Sequence, residues 1–490
     1  MNKHLYRIIF NKARQMFMVV ADIAQSGQGS TVRRTQKSKT LSSRLFSLSS
    51  LSFSLYLASG LVAVSAQPNS NIVADHNAPG NQQPTVLATA NGLPQINIQT
   101  PNAEGISRNQ YSQFDVGTGG AILNNSYKNT QTNLAGMITA NPWLAKGEAK
   151  IILNEVNSGN TSRLEGFLEV AGGRAHVVIA NPSGITCSGC GFINAYKTTL
   201  AAGQAITENG QLKGFNVNRG QLTVEGNGMN AQNAAYTELI ANAVNMNAKL
   251  YANDLNVVTG QNNVSSDMQV LATKPDDNAN KPQFALDVAA VGGMYANAIT
   301  LRGTEKGVGV RNAGTIGALA GNVTISADGK IENSGMLYSQ NALQLSNHED
   351  VINSGKVLVK ADMMLNAGQT LHNSGTIVAV GNTTLNSDNI NSTAQGALAA
   401  GIDANGKATG TGNLVLNGRH EVIANGKNLA GGNLQITGGR VDLQHSKTYA
   451  SNITLAATQA DVDTSHGTLV AKHELSLVLQ SYAPLWHDSS

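Results

Sequence analysis

The sequence predicts an all-β chain wound as a right-handed parallel β-helix, on three observations. The first is a phrase that returns about every twenty residues: Asn312-Ala313-Gly314-Thr315-Ile316, Asn333-Ser334-Gly335-Met336-Leu337, Asn353-Ser354-Gly355-Lys356-Val357 and Asn373-Ser374-Gly375-Thr376-Ile377. A fixed period of that size marks a solenoid. The second is the alternation of apolar and polar residues between the copies, as in Asn322-Val323-Thr324-Ile325, Ala342-Leu343-Gln344-Leu345 and Thr383-Thr384-Leu385-Asn386, which suits half-buried strands. The third is composition: 51 Gly, with 13% of residues charged and 4% aromatic, against roughly 25% charged in an average globular domain. Disordered chains lack apolar residues, whereas here 41% are hydrophobic and placed with a period.

One repeat reads as strand, turn, strand, turn. A unit so small closes no core alone, but stacked copies bury one another's Leu, Ile and Val while their backbones pair from coil to coil. Asn and Gly are expected at the corners because Gly takes positive φ freely and Asn tolerates it, its amide also bonding the local backbone. Echoes continue at Asn413-Leu414-Val415-Leu416, Asn433-Leu434-Gln435-Ile436, Asn452-Ile453-Thr454-Leu455 and His473-Glu474-Leu475-Ser476-Leu477. Roughly twenty coils at about 4.8 Å each predict a rod on the order of 100 Å.

Residues 1–66 read as a leader. Arg33, Arg34, Lys37, Lys39 and Arg44 form a basic region, residues 45–64 an apolar, Ser-rich stretch, and Val64-Ser65-Ala66 supplies small residues for a signal peptidase. Cleavage is expected between Ala66 and Gln67. Serine dilutes the apolar stretch too far for a good membrane-spanning helix. About thirty residues precede the basic region, where an ordinary signal peptide has only a few. This prefix, Met1-Asn2-Lys3-His4-Leu5-Tyr6-Arg7-Ile8-Ile9-Phe10-Asn11 with Met18-Val19-Val20-Ala21-Asp22-Ile23-Ala24 behind it, resembles the extended signal-peptide region of large Gram-negative exoproteins. The resemblance implies slowed or specially targeted passage through the inner membrane by the Sec machinery.

Residues 67–84, rich in Asn, Pro and Gln, are expected to be a flexible mature N-terminus. Residues 85–330 carry the most structured motifs outside the repeats. The order of Leu93-Pro94-Gln95-Ile96-Asn97-Ile98, Asn141-Pro142-Trp143-Leu144, Ile152-Leu153-Asn154-Glu155-Val156 and Ile179-Ala180-Asn181-Pro182-Ser183-Gly184-Ile185 resembles the two-partner secretion domain of filamentous haemagglutinins and contact-dependent inhibition proteins. Residues 331–490 then resemble haemagglutinin repeats. The resemblance implies capping and extra-helical β-hairpins at the N-terminal end of the solenoid. It also implies a partner, an outer-membrane β-barrel transporter with periplasmic modules, and a destination outside a Gram-negative cell by way of the periplasm.

Two departures from the family's pattern stand out. Its first motif commonly reads Asn-Pro-Asn-Leu and its second Asn-Pro-Asn-Gly-Ile, while this chain has Trp143 and Ser183 in place of the third residue. Asn-Pro pairs form turns in their own right, since Pro fixes φ and extends the residue before it. A structural role for Asn141, Pro142 and Leu144, and for Asn181, Pro182, Gly184 and Ile185, is the first expectation. Direct recognition by the transporter is the second, with an exposed Trp143 a good docking anchor.

The only cysteines are Cys187 and Cys190. A zinc site needs two further ligands that the neighbourhood lacks. A thioredoxin-like motif opens a helix, and this one sits in Gly-rich strand and turn. In an exported protein the pair is expected to oxidise to a small-loop disulfide. The formal net charge of +3 over 490 residues, with no basic patch interleaved with aromatics, argues against a nucleic-acid partner.

No catalytic residues, metal ligands or cofactor motif are assigned. The histidines are scattered and none shares a local motif with a nucleophile. A β-helix polysaccharide lyase or hydrolase would use paired carboxylates, for which Glu332, Glu349, Asp350 and Asp362 are the candidates, although Glu349 and Asp350 are neighbours in a turn. The expected function is that of a secreted passenger whose stalk serves adhesion at a host or neighbouring-cell receptor. The alternative is a stalk that delivers a contact-dependent growth-inhibition toxin. Since no compact charged module follows the repeats, a toxin domain is expected to lie outside these residues, in a longer copy of the protein.

Overall fold

The computed structural model describes residues 6–11, 16–21, 70–274, 281–403 and 406–479. The chain divides into two compact units, 1–65 and 66–490. In the first, Tyr6–Asn11 and Met16–Ala21 pair as an antiparallel hairpin. The leader's apolar stretch, the Ala66/Gln67 cleavage site and the last eleven residues lie outside the described residues.

The second unit is a parallel β-helix, right-handed as parallel crossovers are. Each coil contributes three strands, and each strand pairs in parallel with its counterpart one coil on. Gly309–Asn312, Thr315–Ala318 and Val323–Ala327 pair respectively with Ile331–Asn333, Met336–Ser339 and Leu343–Asn347. The two-strand repeat expected from the sequence is therefore corrected to three. The missed strand is Ile331–Asn333 and its repeat equivalents, three or four residues long, too short to show an alternation. We call these the first, second and third faces. The third carries fourteen successive parallel pairings from Ile106–Asp115 to Thr468–Leu479, hence fifteen rungs. At about 4.8 Å per rung the stack is about 70 Å long, shorter than the rod expected, because hairpins interrupt the coils of the first half.

One continuous core fills the helix. In the repeats it takes Val310, Ile331, Val351 and Leu371 from the first face, Ile316, Leu337, Val357 and Ile377 from the second, and Val323, Leu343, Met363 and Leu365 from the third. Each fully buried side chain of this kind stabilises by roughly 1.5–3 kcal/mol, and stacking identical positions repeats that contribution at every rung.

The corners work differently from the expectation. The repeat asparagines end the first-face strands and point inward: Asn312, Asn333, Asn353 and Asn373 are 1–3% exposed. Each passes a hydrogen bond to the next, at 2.8, 2.7 and 2.8 Å, and Asn373 ends the ladder on Ser392 Oγ at 3.1 Å. The ladder begins at Asn312 because the rung before it presents Val288 at that position. Nor do the repeat glycines have positive φ. A Cβ on Gly335, Gly355 or Gly375 would strike the carbonyl oxygen of Gly314, Gly335 or Gly355 in the coil before it. The phrase is written in glycine so that coils can approach, not so that the chain can turn left-handed.

The N-terminal end is capped. Asn71–Ala74 lies antiparallel on Ile106–Asp115, and Thr85–Ala88 antiparallel on Pro94–Asn97. Residues 70–84, expected to be flexible, are thus largely built into the cap, held by Ile72 in the main core and obscured in the sequence by the Asn, Pro and Gln around it. Gln204–Glu208, Gln211–Asn216, Asn262–Ser265 and Val270–Thr273 leave the helix to form a four-stranded antiparallel sheet. Its Leu212, Phe215 and Val264 close a second core over Leu153, Val178 and Ile240 on the outside of the third face.

Candidate recognition site at the two Asn-Pro corners

Asn141 and Asn181 use one device. The Asn141 side-chain oxygen accepts from the Trp143 backbone N–H at 3.0 Å, while its amide donates to the carbonyls of Ile98 and Asn124, both at 2.9 Å. Pro142–Leu144 forms a single 3-10 turn with Leu144 fully buried. Forty residues later the Asn181 oxygen accepts from the Ser183 N–H at 2.9 Å, and its amide donates to the Asn160 carbonyl at 3.0 Å and Ser162 Oγ at 2.9 Å. Both amides therefore bridge the turn to backbone or side chains elsewhere in the stack. Such buried polar groups must be satisfied or cost about 1–3 kcal/mol each.

This geometry accounts for the two departures. The third residue of each motif gives the turn only its backbone N–H, so Trp143 and Ser183 fulfil that role as any non-proline residue would. Ser183 Oγ adds a bond to the Ser158 carbonyl at 3.1 Å. Gly184 has φ +111°, and a Cβ there would press on the Gln221 carbonyl at 2.9 Å. Ile185 opens the strand Ile185–Cys187, buried between Ser162 and Leu222 of the adjoining rungs. Pro182 is exposed on the turn beside it.

Trp143 is 44% exposed. Its indole N–H donates to Thr85 Oγ1 at 3.3 Å, and its carbonyl accepts from Thr100 Oγ1 at 2.7 Å. Thr85, on a cap strand, thus holds the indole, and Thr100, after the strand Pro94–Asn97, holds the backbone that carries it, at the surface near the capped end. Neither threonine carried a signal in the sequence. The two motifs do not form one pocket: Asn141 ties to the cap and Asn181 to the coil of Asn160 and Ser162.

Cys187 and Cys190 are buried and joined by a disulfide, with Cα atoms 5.3 Å apart. The bridge spans Ser188-Gly189 and links Ile185–Cys187 on the first face to Cys190–Ile193 on the second.

The carboxylates named from the sequence are dispersed. Glu332 pairs with Lys330 at 2.5 Å, Asp350 accepts from the Thr370 N–H at 3.0 Å, and Asp362 accepts from the Asn382 N–H at 2.7 Å. Among the described residues no three His, Cys, Asp or Glu side chains group as metal ligands. One polar cluster escaped sequence reasoning because its members are spread over 62 residues with no regular period. His176 Nε2 lies 2.8 Å from Thr199 Oγ1, Thr199 donates to Glu238 Oε2 at 2.6 Å, and Lys197 Nζ meets Glu238 Oε1 at 2.6 Å. Thr199 has a single proton and gives it to the carboxylate, so His176 must donate from Nε2 as the neutral imidazole. Burial, and then the Lys197 charge, push the His176 pKa down to about 3. The arrangement braces three rungs and activates no nucleophile, because the hydroxyl proton points to Glu238 and not to a base poised to remove it.

A family model described as the TPS secretion domain matches residues 70–333, just over half of the chain. A second, described as the extended signal peptide of the type V secretion system, matches residues 1–51. The chain is 47% identical to the protein named toxin CdiA of Yersinia pestis over 97% of its own length and 14% of the relative's. It is 40% identical to the protein named tRNA nuclease CdiA-2 of Burkholderia pseudomallei over 96% of its own length and 15% of the relative's. The chain therefore spans about one-seventh of the length of these curated relatives. Among solved structures, a filamentous haemagglutinin secretion domain matches at 30% identity with a TM-score of 0.50, covering 61% of this chain and 97% of that one.

Proposed function

This chain belongs to the family that carries the TPS secretion domain, and from that membership we propose that its capped N-terminal coils engage a dedicated outer-membrane transporter and its later coils form a delivery stalk. It is a secreted passenger with an extended signal peptide, bound for the surface of a Gram-negative cell. The observation that carries the delivery reading is the extent of likeness to toxin CdiA, which runs through 97% of this chain, stalk included. In this reading the residues 1–490 hold no catalytic centre and the effector belongs to a longer protein.

Folding outside the cell supplies direction. Each coil that stacks removes apolar surface from water at roughly 25 cal/mol per Å², which opposes backsliding without an energy source in the periplasm. The cap gives the first coil a finished edge, so stacking grows away from it. Adhesion is the second reading, favoured by the likeness to a haemagglutinin secretion domain.

Co-culture of cells carrying the locus with cells lacking it tests the delivery reading. Growth inhibition of the recipients that depends on contact and on the transporter supports it. Transporter-dependent attachment to recipient or host cells without inhibition overturns it in favour of adhesion.

A further inference from the structure

The second face differs from the other two in what it shows to solvent. One outward column runs in register through Tyr251, Tyr295, Gly317, Tyr338, Leu358 and Val378. It continues through Ala399, Leu429, Tyr449 and Val470, ten rungs in all, of which the small Gly317 and Ala399 are covered and the other eight reach solvent. The Tyr251 and Tyr295 rings stack with centroids 5.3 Å apart and planes inclined by 19°. The neighbouring outward column, two residues earlier on the same strands, holds Lys249, Lys356, Lys427 and Lys447, separated only by Gly, Ala, Thr and Met. Neither column contains Asp or Glu, although the chain as a whole has 33 Lys and Arg against 30 Asp and Glu. Among the described residues none of these four lysines is in an ion pair.

The other faces lack this combination. On the first, Asp287, Arg311 and Glu332 follow one another in register, with Arg311 bound to Asp287 at 2.5 Å, so its charges are paired. The third mixes neutral hydroxyls and amides such as Thr324, Gln344, Asn366 and Asn386 with the exposed Met364. Among the described residues, only the second face combines a mostly apolar outward column, free of Asp and Glu, with unpaired cations beside it.

We propose that the second face lies along an anionic lipid surface. Tyr, Leu and Val side chains enter the boundary between headgroups and acyl chains, as amphipathic aromatic and aliphatic residues do, and the lysines meet the phosphates with their stems along the apolar stripe. The stripe is about 40 Å long at about 4.8 Å per rung, long enough to contact many headgroups at once. An acidic polysaccharide would satisfy the lysines but not Leu358, Val378, Leu429 and Val470, which give a sugar hydroxyl no hydrogen-bond partner.

The test is flotation of the 66–490 unit, which has its own continuous core, with vesicles of phosphatidylcholine alone or containing phosphatidylglycerol. Binding is expected only with the anionic lipid and should weaken as salt rises. Replacing Lys249, Lys356, Lys427 and Lys447 together by Gln should lower it at least tenfold, and so should Leu358→Ser with Val378→Ser. Replacing Lys146, Lys150, Lys213 and Lys306, on other parts of the surface, by Gln should leave it within twofold. Circular dichroism of every variant checks the fold. No binding to anionic vesicles overturns the proposal, as does equal loss in the control variant. Binding to a soluble acidic polysaccharide in preference to the vesicles also overturns it.

Discussion

Asn333 donates from its side-chain amide to the side-chain oxygen of Asn353, one coil on, at 2.7 Å inside the core. Both residues are the first letter of the repeated phrase, so the period visible in the sequence is the spacing of one polar ladder. Asparagine fits because its side chain carries a donor and an acceptor at once. A hydrophobic residue at one rung breaks the bond on both sides.

Asn353→Leu should therefore destabilise the protein by about 1–3 kcal/mol, since it leaves the amide of Asn333 and the oxygen of Asn373 without their ladder partners. Denaturant unfolding of the 66–490 unit measures this. A change below a few tenths of a kcal/mol would show that the ladder is incidental to stability.

The glycine ladder makes a separate demand. Gly335→Ala places a methyl against the Gly314 carbonyl oxygen, whereas Gly159→Ala meets nothing within 4 Å. Forced overpacking typically costs about 1–3 kcal/mol. The first variant is expected to lose that much and the second almost nothing, and equal midpoints for the two would refute the close-approach explanation.

At the second Asn-Pro corner the side chain of Asn181 and the backbone of Ser183 share the work, so their substitutions should separate. Asn181→Ala removes two donated bonds and one accepted bond and should lower both stability, by about 1–3 kcal/mol, and export yield. Ser183→Asn keeps the backbone donor and should change neither appreciably. Immunoblots of culture medium and cell fractions, beside unfolding curves, read both quantities. If Ser183→Asn altered export strongly while stability stayed fixed, that position would be read by a partner.

His176 sets a pH dependence. Its pKa lies near 3 in the folded protein against about 6.5 in an unfolded chain. The unfolded state therefore binds the proton first as pH falls. Above about pH 6.5 the residue has no effect on stability; between about 6.5 and 3 it removes stability with a slope of up to about 1.4 kcal/mol per pH unit. His176→Gln should flatten the acid limb of the stability profile in that window and leave neutral pH nearly unchanged. Parallel profiles for the two proteins would contradict the assignment.

How much of this was legible depended on regularity. The period, the alternation of Val323 to Ile325 and Leu343 to Leu345, and the low charge identified a parallel solenoid because each repeats at every rung. Strands of three residues such as Ile331–Asn333 were not legible, since alternation needs more positions than that. The purpose of Gly335 was misread because positive φ and close approach both select glycine, and only the neighbouring coil distinguishes them. Ile72, the apolar anchor of the cap, stood alone among polar residues. The sheet built from Gln204–Glu208 and Asn262–Ser265 joins segments too far apart for any local pattern to pair. The Asn-Pro corners were visible as motifs, whereas their bonds to Ile98, Asn124 and Asn160 depend on the stacking itself.

The most direct test of the central claim is export of the full 490-residue chain in cells with and without a candidate partner transporter, followed by N-terminal sequencing and protease digestion of the medium. The account predicts a β-rich, protease-resistant product beginning at Gln67 that reaches the medium or cell surface only when the transporter is present. Release without the transporter, or retention in the periplasm despite it, would contradict the assignment of this β-helix as a two-partner secretion passenger.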